Sequence, residues 1–188
     1  MIMTDKYSLV FQPSEELIKL IKMMKLKLAE EIGWYNSKNA LAHITIAEFK
    51  ASIDDIPRIH KQITRCSERF KPVVTQFSSF GTYPNGAFFL EVDQEAKKIL
   101  IEYGRQLTDE LRLTSLSKSN DPHLSIARKL DFEKIEKAFK LFNTPDISTT
   151  IGFIALRKLN TIRKQYDILH CYPFLDLEDT RAKQLTLF

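Results

Sequence analysis

Two short strings repeat a histidine beside a hydroxyl: His43-Ile44-Thr45-Ile46-Ala47 and His123-Leu124-Ser125-Ile126-Ala127, 80 positions apart. Strand side chains alternate, so in each string imidazole and hydroxyl share one face while the aliphatic residues take the other. The aliphatic face buries, and His43, Thr45, His123 and Ser125 look into a cleft. Imidazole titrates near pH ~6.5, so a pair can hold one neutral and one protonated ring at neutral pH. That supplies a base and an acid, with two hydroxyls to donate hydrogen bonds to an anion. A single His-x-Ser/Thr says little, because strand histidines are commonly structural. Two of the chain's four histidines in one five-residue pattern say more. Duplicated core strands explain the shared isoleucine and alanine, but not a histidine beside a hydroxyl in both.

The elements that must carry these strings follow from periodicity. Tyr7 to Gln12 is rich in strand formers, and Pro13-Ser14-Glu15-Glu16 opens a helix running to about Ile32 before Gly33. Ala40 to Phe49 reads as a strand and Asp54 to Phe70 as an amphipathic helix with Pro57 in its first turn. Val73–Phe80 and Ala87–Val92 are predicted strands joined by a hairpin or crossover over Gly81–Gly86. Gln94–Leu113 is helical, Pro122–Leu130 a strand and Phe132–Phe142 a short helix. Strands near Thr149–Leu159 and Tyr166–Phe174 then flank the basic segment Asn160–Gln165. Tyr7–Phe80 and Ala87–Leu159 thus give the same succession of strand, helix, strand, helix, strand. The expectation is a duplicated α+β fold: two antiparallel-sheet lobes with flanking helices, related by a pseudo-twofold around a central cleft. Residues 1–188 form one domain, with halves of about 1–85 and 86–188 and strands free to exchange between lobes.

Composition bounds the function. A chain of 188 residues that is 44% hydrophobic and 28% charged, with 5 glycines and 7 prolines, describes a folded globular protein and excludes collagenous, low-complexity and disordered classes. The N-terminus has no basic region followed by an apolar stretch, and no uncharged apolar run approaches ~18 residues, which argues against secretion or a membrane span. Cys66 and Cys171 form no Cys-x-x-Cys pair. The reading is a cytoplasmic monomer. A net charge of +4 permits an anionic partner without requiring one.

The paired strings resemble those of the two-histidine phosphoesterase superfamily, and specifically the bacterial 2'-5' RNA ligase and RNA cyclic phosphodiesterase family. Loose matches span the chain: an initial strand-Pro-helix, HITIA, FGTYPNGAFFLEV, PHLSIAR and a closing YDILHCYPFL. The resemblance implies two lobes whose motif strands line a groove, with His43 and His123 facing each other across it. It also implies hydrolysis of 2',3'-cyclic phosphates at RNA ends or on small nucleotides to a 2'-phosphate, and reversible 2'-5' ligation as the same chemistry with another nucleophile. No metal and no cofactor is required. The first motif departs by continuing Glu48-Phe49, where relatives often have Phe-Leu-Gly, and the second uses Ser125 in place of the commoner threonine, which keeps the hydroxyl.

In this scheme His123 takes the proton from water and His43 protonates the leaving 3'-oxygen. Thr45, Ser125 and the protonated ring stabilise the phosphate oxygens. Many relatives carry an arginine where Arg128 stands, which makes it a phosphate-binding candidate. Strict alternation turns it away from His123 unless a bulge re-aims it. Tyr7, Phe11 and Tyr83 are candidates for stacking on a base. Arg163 and Lys164 read first as a hairpin tip and Asp121 as part of a turn. His60 and His170, lacking a hydroxyl two positions on, read as structural. There is no His-Glu-x-x-His and no Gly-x-Ser-x-Gly, so zinc-protease and serine-hydrolase readings fail. The alternatives are an RNA- or nucleotide-binding module with little turnover, and a protein-interaction scaffold.

Overall fold

Among the described residues, three of the four α-helices start on side-chain caps that the sequence supplies. The computed structural model describes residues 3–113 and 115–178. In α1 (Glu15–Ile32) the Ser14 hydroxyl accepts from the Leu17 amide at 3.3 Å, Glu15 and Glu16 favour the positive end of the helix, and the chain leaves through Gly33 at φ 77°. Asp93 caps α3 (Gln94–Leu111) by accepting from the Glu95 and Ala96 amides, and Asp131 caps α4 (Phe132–Leu141) through the Lys134 amide. A short 3-10 turn over Ile53–Asp55 precedes α2 (Ile56–Ser67), so that helix starts later and stops earlier than periodicity alone predicts.

The strands among the described residues are, in chain order, β1 (Asp5–Phe11), β2 (Ile44–Ala51), β3 (Val73–Phe77), β4 (Phe80–Tyr83), β5 (Ala87–Glu91), β6 (Leu116–Lys118), β7 (His123–Ala127), β8 (Ile147–Ile151), β9 (Phe153–Asn160) and β10 (Gln165–Pro173). The large sheet runs β10-β9-β1-β2-β7-β5-β4, with β6 also on β2, and β3 pairs with β8 separately. Every pairing is antiparallel. The order is palindromic about its centre: β9-β1-β2 on one side answers β4-β5-β7 on the other. This is the expected α+β architecture of duplicated lobes. At the seam, the pairing of β2 with β7 is confined to Ile44 opposite Leu124. The helices pair as α2 with α3 and α1 with α4, with α1 against β7 and α3 against β2.

Several expected strands divide. Val73–Phe80 splits into β3 and β4, because the chain changes sheet where Asp93 holds the Gln76 amide at 2.8 Å and Ser79 bonds Glu91. Thr149–Leu159 likewise splits at Gly152 into β8 and β9. Strand β2 begins at Ile44 and not at Ala40, because the preceding loop turns its Ser37 and Ala40 carbonyls to the Lys25 ammonium. Strand β6 was not anticipated. The turn of the β4–β5 hairpin is confined to residues 84–86, because Gly81 to Tyr83 pair with β5 as part of β4, and residues 161–164 form the tip between β9 and β10.

Aliphatic faces of both motif strands enter a core that also holds Tyr7, Phe11, Phe70, Phe77 and Phe88. Tyr7 stacks on Phe49 at 5.6 Å and Phe11 meets Phe174 edge-on. Both are fully buried, so the expectation that they receive a base is corrected: they fill the core. His60 and His170 sit with Tyr172 where α2 meets β10, far along the sheet from the motif strands. The tail from residue 179 onward, which sequence analysis left between packing and fraying, lies outside the described residues. No helix among the described residues is long and apolar enough to cross a membrane.

Candidate active site

Each motif histidine is fixed in the same way. His43 Nδ1 lies 2.6 Å from the Leu41 carbonyl, and His123 Nδ1 lies 2.8 Å from the Asp121 carbonyl. A carbonyl oxygen only accepts, so both Nδ1 atoms carry hydrogen and both Nε2 atoms are left to bind or give a proton. Asp121 therefore orients His123, but through its backbone; its carboxylate pairs with Lys97.

Register brings the four motif side chains together. Ile44 stands opposite Leu124, so their chain neighbours, His43 and Thr45 in one strand and His123 and Ser125 in the other, share the face opposite the two aliphatic residues. Side chains so placed on one face are cross-strand or diagonal neighbours, with the diagonal pair about 7–8 Å apart at the backbone. Thr45 and Ser125 line both halves of the resulting groove. The half holding His123 measures about 590 Å³ and includes Tyr83, Asn85, Ser117, Ser119, Arg128 and Lys129. The half holding His43 is smaller, about 150 Å³, with Lys25, Glu48, Arg128, Arg157 and Tyr166 on its walls.

The parity conflict at Arg128 is resolved by a bulge. Phe88 is opposite Ala127 but Phe89 is opposite Ser125, so β7 carries one extra residue, Ile126. Strand β2 does the same at Ile46, since Leu9 is opposite Ala47 and Val10 is opposite Thr45. One extra residue exchanges the faces of everything after it. Arg128 thereby rejoins the face of Ser125, and Glu48 rejoins the face of Thr45. The same registers align Arg157, Ser8 and Glu48 across one lobe; in the other, Tyr83 is opposite Ala87, and Arg128 follows directly on Ala127, which is opposite Phe88. Glu48 and Arg128 are thus counterparts under the pseudo-twofold, as are Arg157 and Tyr83. The carboxylate of Glu48 takes the Lys6 ammonium at 2.6 Å and the Tyr166 hydroxyl at 2.8 Å.

Sequence reasoning missed Lys25, Arg157, Tyr166 and the groove-lining role of Glu48. Lys25 comes from α1 and Arg157 from a strand more than a hundred residues after His43, so no local spacing announces either. One signal was available for the flanking loops: Ser37-Lys38 and Ser117-Lys118 stand at the same distance before each histidine. The first makes a bridge through Asn36 to Arg128, and the second forms β6 against β2. Tyr83 remains at the site, edge-on to His123 at 5.4 Å with its hydroxyl buried and unpartnered. Arg163 is held by Asp167, while Lys164 reaches the His43 half of the groove.

Electrostatics favour neutral rings. Burial, then Arg157, Arg128 and Lys25, hold His43 well below the ordinary histidine range despite the Leu41 carbonyl. Burial also lowers His123, with the Asp121 carbonyl and carboxylate working against it. Burial and Arg128 push the Lys25 ammonium down to about 8, and burial brings the Arg157 guanidinium to about 10. Burial would raise Glu48, but its bonds to Lys6 and Tyr166 outweigh that and lower it. Among the described residues no group of three His, Cys, Asp or Glu side chains is placed to hold a metal ion.

Comparison with known proteins places the chain in a family and gives likenesses of fold. The sequence profile of the 2'-5' RNA ligase superfamily matches residues 13–162, and the chain belongs to that superfamily of phosphoesterase- and RNA-ligase-like enzymes. Among solved structures, E. coli LigT complexed with NADP+ is similar over 92% of this chain and 99% of its own, with a TM-score of 0.66 at 13% identity. The same enzyme complexed with 3'-AMP gives 0.66 at 12% identity over the same shares. The protein TT0787 of Thermus thermophilus gives 0.61 at 15% identity over 92% of this chain and 100% of its own. At these identities the likeness is one of fold. No curated protein matches the chain.

Proposed function

We propose that this protein is a metal-independent phosphoesterase that opens 2',3'-cyclic phosphates at RNA ends or on nucleotides to leave a 2'-phosphate, with 2'-5' ligation as the same ring opening by a 5'-hydroxyl in place of water. The observation that carries the reading is the matched pair of imidazoles. Each is tied at Nδ1 to a carbonyl two residues upstream, and each lines a half of the groove that also holds Thr45, Ser125 and Arg128. The binding of nucleotides by the structurally similar LigT supports it.

His123 takes the proton from water as the water oxygen attacks phosphorus. His43 gives its proton to the departing 3'-oxygen. Thr45, Ser125 and Arg128 donate hydrogen bonds to the non-bridging oxygens, where negative charge builds. Both rings start neutral, and the incoming phosphate supplies the negative charge that lets one of them hold a proton. A ring whose pKa is depressed gives that proton up readily, which suits His43 to the leaving group. Intact histidines and hydroxyls favour this over a binding module without turnover.

The test is product analysis on RNA ending in a 2',3'-cyclic phosphate. Native protein yields a 2'-phosphate with EDTA present, while His43→Ala and His123→Ala each lose about 10²–10⁴-fold in turnover and remain folded. A nitrophenyl ester, whose leaving group needs no acid, restores activity to His43→Ala but not to His123→Ala. Near-native rates in both variants on the RNA would refute the assignment.

A further inference from the structure

The His43 half of the groove holds more positive charge than its walls balance. Lys25, Arg128, Arg157 and Lys164 line it, and Glu48 is its one carboxylate. Lys25 and Arg157 are 2% and 3% exposed, a condition in which cations are ordinarily paired. Among the described residues, the hydrogen bonds of the Lys25 ammonium go to the Ser37 and Ala40 carbonyls. Arg157 donates to the Ser8 hydroxyl at 3.0 Å and lies 5.0 Å over the Tyr166 ring, and its Nε has no partner among the described residues. The charge of Glu48 acts on Arg157, but its carboxylate oxygens are engaged by Lys6 and Tyr166. Across the pseudo-twofold, the position of Arg157 is taken by uncharged Tyr83. The His123 half is also lined by cations, Lys118, Arg128 and Lys129, but all three are exposed, so the buried pair Arg157 and Lys25 is a property of one half-site and not of the duplicated frame.

We propose that Arg157, backed by Lys25, is an anion-binding floor on the His43 side of the groove that receives a phosphoryl oxygen of the ligand. This deepens the phosphoesterase reading and rests on it for the identity of the ligand. A cation buried without a carboxylate costs stability, and an arriving phosphoryl group offsets that cost at the moment of binding. A planar guanidinium whose donors are not used up by a carboxylate suits a tetrahedral anion. The pocket volume of about 150 Å³ admits one such group. Because the floor lies on one side only, it also fixes the direction in which a nucleotide enters a nearly symmetrical groove.

The phosphoryl group has two possible sources, the reacting phosphate or a second phosphate on the same nucleotide. The experiment separates them. Inorganic phosphate is titrated calorimetrically into native protein, Arg157→Met and Arg157→Lys, with a thermal melt of each. Arg157→Met is expected to melt no lower than native and to lose phosphate affinity by about tenfold or more, the worth of a charge-assisted hydrogen bond. Arg157→Lys keeps the charge but not the fork and is expected to fall between the two. Unchanged phosphate affinity in folded Arg157→Met overturns the proposal. So does a melting temperature lowered in both variants with affinity intact, which marks a purely structural arginine. Turnover of adenosine 2',3'-cyclic phosphate with and without a 5'-phosphate then assigns the source. An equal loss on both substrates places the reacting phosphate on Arg157, and a loss confined to the 5'-phosphorylated one places the second phosphate there. Phosphate titration needs no turnover, so it can fail or succeed independently of the cyclic phosphodiesterase activity itself.

Discussion

At the scale of single residues, the groove is governed by where protons and charges are held. Both imidazoles have fixed tautomers and both are pushed below the ordinary histidine value, His43 by its three cationic neighbours as well as by burial. A reaction needing one neutral and one protonated ring is fastest between the two pKa values of the species being titrated. For the free enzyme both lie below ~6.5, so the kcat/KM profile against pH is expected to peak on the acid side of that value. Bound phosphate opposes Arg128, Arg157 and Lys25 and raises both rings, so the kcat profile is expected to sit at higher pH. Initial rates across pH with a cyclic nucleotide check both statements; coincident profiles would show that the bound anion leaves the rings unaffected. The linkage to stability has the same sign: groups lowered on folding contribute stability present above the unfolded value and lost as pH falls through it. His43 and His123 were legible in sequence because their types recur in one pattern. Arg157 and Lys25 were not, because an isolated arginine in a strand and a lysine in an amphipathic helix look like the solvated face of each.

At the scale of elements, two features decide which side chains reach the groove, and alternation captures only one. It correctly places His43 with Thr45 and His123 with Ser125. It fails beyond Ile46 and Ile126, where a bulge in each motif strand inserts a residue and swings Glu48 and Arg128 inward. A bulge is set by pairing with the neighbouring strand, and Ile-Ala reads equally well as flat strand, so the sequence carries no local mark of it. The same limit hid the breaks at residues 78–79 and at Gly152, where the chain exchanges one sheet for another for the sake of tertiary pairing. Turns were clearer, because their residues are constrained by the backbone itself. Gly86 ends the β4–β5 turn at φ 78°, and a Cβ there would sit 2.2 Å from the Leu130 carbonyl oxygen and 2.7 Å from its nitrogen. The Leu130 amide donates to the Gly86 carbonyl at 2.9 Å, so this backbone is tied to the turn and cannot move aside alone. Gly86→Ala is therefore expected to cost about 2–4 kcal/mol, from the positive φ and the clash together, as a lowered urea midpoint with little change in m-value. Since Tyr83 and Arg128 flank this contact, phosphate affinity should weaken with it. A variant as stable as native would mean that the turn has another conformation in solution.

At the scale of the molecule, the two lobes meet along a seam that is short in backbone bonds. Strands β2 and β7 share the single register position of Ile44 and Leu124, and the remaining cohesion comes from the core, from β3 paired with β8, and from the helices packed over both lobes. The groove lies on this seam, with Thr45 from one lobe and Ser125 and Arg128 from the other. A phosphate held by those three groups is a bridge between lobes, so ligand binding and lobe cohesion are one equilibrium. A ligand that binds only the folded protein stabilises it by RT ln(1 + [L]/Kd), about 2.7 kcal/mol at a hundredfold excess over Kd. For a chain of this length that is a rise in Tm of about 5–10 °C. The location of the effect is the sharper test. Amide hydrogen exchange at Ile44 to Ile46 and at Leu124 to Ile126 should slow when phosphate or product is added, while amides of the β3–β8 pair, remote from the groove, should follow only the global change. Uniform slowing everywhere would mean that exchange occurs through global unfolding alone. Protection confined to one of the two motif strands would show that the anion is held by a single lobe, and the bridging geometry would have to be given up.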